Sequence, residues 1–114
     1  MAAKYALKKA KNGKVFFNLL ATNGQAILAS EMYEAKPSAL NGIESVRKNG
    51  VVEARFEKLN AKDGSPYFTL KATNGQVIGQ SEMYTTPAAR DNGIASVMKN
   101  AAEAVLDDQT TAAA

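Results

Sequence analysis

Two glutamates and two tyrosines stand at matched places in this chain of 114 residues: Glu31 and Tyr33 in Ser30-Glu31-Met32-Tyr33, and Glu82 and Tyr84 in Ser81-Glu82-Met83-Tyr84. Paired carboxylates do general acid–base work when they lie within about 5–10 Å of each other and one has a raised pKa. The simpler reading is structural. Each Glu would accept backbone N–H groups or pair with a Lys where strand passes into helix, and each Tyr would pack its ring under the helix start. His and Cys are absent, which removes the commonest general base, the commonest metal ligand and the most nucleophilic side chain. Ser45 and Ser96 therefore have no evident base. The chain has no Gly-rich phosphate loop and no cluster of metal-ligand residues. No catalytic residue, metal or cofactor is expected.

The matched residues belong to a longer duplication. Ala21-Thr22-Asn23-Gly24-Gln25 recurs as Ala72-Thr73-Asn74-Gly75-Gln76, and the offset of 51 residues aligns the chain with itself without a gap. Phe17-x-Leu19-x-Ala21 falls on Phe68-x-Leu70-x-Ala72, and Asn41-Gly42-Ile43-x-Ser45-Val46 on Asn92-Gly93-Ile94-x-Ser96-Val97. Two copies of one supersecondary unit fill the chain, too few for a solenoid. The expected division is repeat one over 1–51, repeat two over 52–107 and a flexible tail over 108–114, the two repeats forming one compact domain.

Within each unit the pattern reads strand, strand, strand, helix, strand. Alternating apolar residues mark first strands over about 4–10 and 54–61, and second strands over about 15–21 and 66–72. Asn12-Gly13 and Asp63-Gly64 are hairpin signals between them. The next turn is expected to contain three residues, Thr22-Asn23-Gly24, with Gly in the left-handed conformation. It would pair Leu19 with Ile27, and Leu70 with Ile78, burying both isoleucines. Helices are predicted over about 36–49 and 87–100. Thr86 and Pro87 make a good start, and Asn49-Gly50 and Asn100 suit a left-handed stop. Gly42 and Gly93 lie inside the buried stripe, so a close approach of helix to sheet is expected to offset their cost of ~1 kcal/mol relative to Ala. Val51-Val52-Glu53-Ala54 should run directly into the next strand, and Ala101 to Leu106 should form the last one.

Composition sets broader bounds. Hydrophobic residues are 46% and charged residues 22%, ordinary values for a folded domain. Without cysteine, no disulfide or oxidising compartment is implied. The net charge of +3 and pI near 9.2 give a mild attraction to polyanions. The basic run Lys8, Lys9, Lys11 and Lys14 reads as a solvated hairpin end. No apolar stretch approaches the ~18 residues of a membrane span. Met1-Ala2-Ala3-Lys4 has no signal-peptide core, so a cytoplasmic location away from membranes is expected.

With these residues placed, the chain resembles the YegP-like family of small bacterial proteins. The match rests on Phe17-x-Leu19-x-Ala21-x-Asn23-Gly24-Gln25-x-Ile27, Ser30-Glu31-x-Tyr33 and Gly42-Ile43-x-Ser45-Val46, all recurring 51 residues later. The resemblance implies an α+β fold of two tandem β-β-β-α-β repeats. They would form one continuous antiparallel sheet with both helices on one face, the last strands exchanged between repeats. It implies no activity, substrate or catalytic residue.

Function is then sought where the copies differ. On the sheet face away from the helices, unit one should present Phe16, Leu20, Ala26 and Leu28. Unit two should present Tyr67, Lys71, Val77 and Gly79, a less apolar set. The candidate patch is Phe16, Leu20, Leu28, Tyr67 and Lys71, serving a protein partner or self-association. A weak single-stranded nucleic-acid binder is the alternative, with Phe16 and Tyr67 as stacking rings and Lys14 and Lys71 as flanking charge. A small enzyme using Glu31 and Glu82 ranks third. The motif residues Asn23, Gly24, Gly42, Asn74, Gly75 and Gly93 are read as joints of the scaffold.

Overall fold

The structure, a computed structural model, describes residues 3–110. Its elements in chain order are β1 (Lys4–Lys9), β2 (Val15–Leu20), β3 (Ala26–Ala29), α1 (Lys36–Asn49), β4 (Phe56–Asn60), β5 (Pro66–Lys71), β6 (Val77–Gln80), α2 (Pro87–Asn100) and β7 (Val105–Asp108). They build one seven-stranded sheet in the order β4-β5-β6-β3-β2-β1-β7. The two halves meet through Ala29 of β3 opposite Gln80 of β6.

Local chemistry accounts for the hairpins. Gly13, Gly24, Gly64 and Gly75 all take φ near +85°, between 84° and 87°, a region open to Gly at little steric cost. In each turn the preceding Asn or Asp accepts a backbone N–H two residues on, as Gln25 N does to Asn23 Oδ1 at 3.0 Å. Ala21 N donates to Gln25 O at 2.9 Å, so the loop has the expected three residues.

The register beyond that loop differs from expectation. Leu20 faces Ala26, but a bulge then sets Leu19 opposite Leu28, and Leu70 opposite Gly79, instead of opposite the isoleucines. The bulge places two adjacent apolar residues on the core side, which a regular pleat cannot do. Ile27 is 7% exposed and Leu28 2%. Leu28 therefore belongs to the core and not to the open patch. The bulge also buries Gly79, where a Cβ would come within 2.7 Å of Leu28 Cδ2.

Three further expectations are corrected. The sheet is mixed, because β7 runs parallel to β1. The chain leaves α2 at the end of the sheet where β1 begins: Val105 N donates to Ala3 O, and Gln109 N to Leu7 O. Residues 51–55 do not extend a strand. Val52 N bonds back to Asn49 O, and a 3-10 turn, Glu53–Arg55, precedes β4. Val51 and Val52, more than 40% exposed, have no surface there to pack on. Finally, β7 continues to Asp108, one residue into the stretch read as a tail. Residues 111–114 of that stretch lie outside the described residues.

Both helices have the predicted bounds. Thr86 Oγ1 caps α2 by accepting Ala89 N at 3.0 Å, whereas Ala35 leads into α1 with no side-chain cap. The stops are not left-handed, since Gly50 has φ −68°. Instead, Asn49 Nδ2 donates to Ser45 O and Oγ, and Asn100 Nδ2 to Ser96 O and Oγ. Gly50 is there for space, because a Cβ would approach Ala101 Cβ to 2.7 Å.

Ion pairs tie β7 down: Lys4 to Asp107 at 3.6 Å, and Lys36 of α1 to Asp108. The Lys36 hydrogen bond, with help from Thr110, holds the Asp108 carboxyl at a pKa of about 2, below its ordinary 3.8. A depressed carboxylate pKa stabilises the fold above the unfolded value, and the gain is lost as pH falls through the folded one. Thermal unfolding between about pH 4 and 2 should therefore show a steeper acid loss in the wild type than in Asp108→Asn. Parallel curves would show that Asp108 is not coupled to folding.

Candidate functional site

The repeated Ser-Glu-Met-Tyr phrase works through its serine and tyrosine. Ser30 Oγ accepts Phe17 N at 2.9 Å and donates to Glu31 O at 2.8 Å. Ser81 does the same with Phe68 N and Glu82 O. This hydroxyl holds the backbone at the exit of the third strand, a role expected of the carboxylates. Glu31 and Glu82 are exposed, and neither forms an ion pair among the described residues. Ser30 and Ser81 also recur at the 51-residue offset, so the signal was present in the repeat.

Each tyrosine packs deeper along the helix than its start. Tyr33 stacks on Phe17 with centroids 6.3 Å apart and planes at 9°, and its hydroxyl lies under Gly42. Tyr84 stacks on Phe68 under Gly93 in the same way. Burial raises both phenols above their ordinary pKa, and the neighbouring Glu31 or Glu82 carboxylate adds to the shift. A tyrosine serving as a base needs the opposite shift. The depression lined by Ala26, Leu28, Ala29, Gln80, Ser81 and Glu82 does not include Glu31. Among the described residues no group of three or more acidic ligands could hold a metal ion.

The other site candidates lie on the sheet face opposite Phe17 and Phe68. Strand alternation places Phe16, Asn18 and Leu20 there from β2, and Tyr67, Thr69 and Lys71 from β5. Cross-strand pairs set Lys8 beside Phe16, Leu59 beside Tyr67, Ala26 beside Leu20 and Val77 beside Lys71. Phe16, Leu20, Tyr67 and Lys71 are half-buried, and Val77 is 41% exposed. With Leu28 in the core, unit one loses part of its expected apolar excess.

Register also assembles a feature invisible along the chain. Ala6, Asn18, Ala29, Gln80 and Thr69 line up side by side across five strands. Asp107 and Glu57 stand at the two ends of this row. The row is a floor of small, amide and hydroxyl side chains between the larger flanking residues. Thr69 is 6% exposed, and its Oγ1 has no hydrogen-bond partner within the protein. Two of the lysines beside the row are paired in place, Lys71 with Glu57 at 2.8 Å and Lys4 with Asp107, whereas Lys8 beside Phe16 forms no ion pair among the described residues.

The domain described as DUF1508, a domain of unknown function, matches residues 10–57 and again residues 61–108. The chain is 55% identical to the UPF0339 protein YegP of Yersinia pestis, covering 93% of this chain and 95% of that protein. It is 57% identical to a UPF0339 protein of Bordetella pertussis, with 95% and 97% coverage. Among solved structures it is similar to a UPF0339 protein from Shewanella oneidensis, at 50% identity and a TM-score of 0.92 over 98% of this chain and 95% of that one. The solution structure of YegP from E. coli, a protein of unknown function, gives 45% identity and a TM-score of 0.92, with 99% and 97% coverage. No helix among the described residues is long and apolar enough to cross a membrane.

Proposed function

Since this chain belongs to the DUF1508 family and carries two copies of its domain, we propose that it is a non-catalytic protein-interaction module working through the open face of its sheet. In this reading both helices cover the face of Phe17 and Phe68, and repeat two lends its last strand, β7, to β1 of repeat one, with no such loan in return among the described residues. The opposite face is left for a partner. The observation that carries the reading is the amide- and hydroxyl-floored row flanked by Phe16, Leu20, Tyr67 and Lys71. Aromatic and aliphatic anchors around groups that can hydrogen-bond suit a polypeptide surface. A polyanion is less suited, because carboxylates close both ends of the row and take up Lys4 and Lys71.

Leu20→Glu tests this directly. Leu20 is half-buried at the sheet surface, so the variant should keep its fold while a charge enters the flank of the row. Wild-type and variant chains would be used as bait in lysate from the source cell and compared. The expected result is a defined partner captured by the wild type and lost with Leu20→Glu, the circular dichroism spectrum being unchanged. Identical capture by both chains would overturn the reading. Salt-sensitive binding of a single-stranded oligonucleotide would replace it with the nucleic-acid alternative.

A further inference from the structure

Strand β7 covers the outer edge of β1, but nothing among the described residues covers the outer edge of β4 at the far side of the sheet. By the duplication β4 is the counterpart of β1, so the chain itself displays what such an edge accepts. β7 joins β1 in parallel, with Leu106 beside Tyr5 and Asp108 beside Leu7. Asp108 also reaches Lys36 of α1. Tyr5, Leu7 and Ile43 in that region are at most 2% exposed. Their counterparts Phe56, Lys58 and Ile94 instead border an open groove of about 240 Å³, completed by Glu53 and by Asp91, Ala95 and Met98 of α2.

We propose that the β4 edge and its groove bind an extended segment of a partner protein, added parallel to β4, with an apolar residue beside Phe56 and a carboxylate beside Lys58. Backbone pairing along the free edge supplies general affinity, and alternate side chains supply the choice of sequence. The position between the two falls beside Glu57, which is exposed and shared with Lys71 at 2.8 Å; the counterpart of Glu57 on β1 is the neutral Ala6. A basic or neutral residue belongs there. The preferred pattern is therefore apolar, basic, acidic. Lys58 is exposed and, among the described residues, shared only with Asp91 at 3.3 Å, so an incoming carboxylate can reach it.

The same charges refuse a second copy of this chain. A copy's own tail would set Asp107 against Glu57. A two-fold pairing of β4 with β4 over its full length, Phe56–Asn60, is centred on Lys58 and brings Lys58 to Lys58. Glu57 and Lys58 thus guard the edge against self-pairing while leaving it open to a complementary strand.

The test titrates two heptapeptides, Ala-Val-Leu-Lys-Asp-Gln-Thr and Ala-Val-Leu-Asp-Asp-Gln-Thr, into the ¹⁵N-labelled full chain. The second is the chain's own sequence from Ala104 to Thr110. The first should shift amides over 55–59 and 94–98, with an affinity at least about tenfold above that of the second. Lys58→Glu should abolish the effect, and a peptide with Lys in place of the acidic Asp should restore it. Asp91→Asn, which frees Lys58 without touching the core, should tighten binding. Absence of shifts at millimolar peptide, equal affinities, or shifts confined to β1 and β7 would overturn the proposal. So would β4 amides that become protected as the chain alone is concentrated.

Discussion

Leu28→Ala is expected to lower the unfolding free energy by about 2–5 kcal/mol, the range for a buried leucine. The structural cause lies where the two repeats meet. Leu28 and Gly79 are equivalent by the duplication, and the missing side chain of Gly79 leaves the space that Leu28 enters. One volume serves two positions, so a single side chain fills it. Gly79→Ala should consequently destabilise by about 1–3 kcal/mol through overpacking. Exchanging the pair, with Leu28→Gly and Gly79→Leu together, should recover much of the loss. Urea unfolding of the three variants measures this. If Leu28→Ala unfolds like the wild type, the bulged register is wrong.

Gly42→Ala, and equally Gly93→Ala, carries the second large effect, of a sign opposite to helix propensity. Inside an ordinary helix this substitution gains roughly 1 kcal/mol. Here the new Cβ would fall on the Tyr33 hydroxyl, 2.8 Å from Tyr33 Cζ and 3.1 Å from Phe17 Cε2. The tyrosine is stacked on Phe17, and Phe17 meets Tyr5 edge-on at 6.0 Å, so neither ring can withdraw freely. A net loss of about 1–3 kcal/mol follows. Tyr33→Phe in the same chain removes the hydroxyl and should restore part of the stability, the ring carbon still being close. A stabilised Gly42→Ala chain would show that helix and sheet are farther apart than described.

The duplicated phrases illustrate how much could be read before the fold was known. Asn23-Gly24 and Asn74-Gly75 proved to be three-residue turns because the loop is local: a positive φ and an Asn side chain bonding two residues ahead suffice. The serine of each Ser-Glu-Met-Tyr phrase carries no local mark of its role. Its partner, the N–H of Phe17 or Phe68, is 13 residues away on another strand. The open face was half legible. Alternation placed Phe16, Leu20, Tyr67 and Lys71 there, but it also placed Leu28 there, because one bulged residue reverses every face assignment beyond it.

The sequence by itself determined the repeat, both helix bounds, the hairpin turns and the need for glycine within each helix. Each depends on neighbours a few residues apart or on exact recurrence. Only the tertiary structure decided that β7 lies parallel to β1, that no strand among the described residues pairs with the outer edge of β4, and that Leu28 rather than its repeat partner occupies the seam. It also brought Ala6, Asn18, Ala29, Gln80 and Thr69 into one row. These outcomes follow from competition for shared volume and for strand edges between segments up to about 100 residues apart, and no local pattern records who wins.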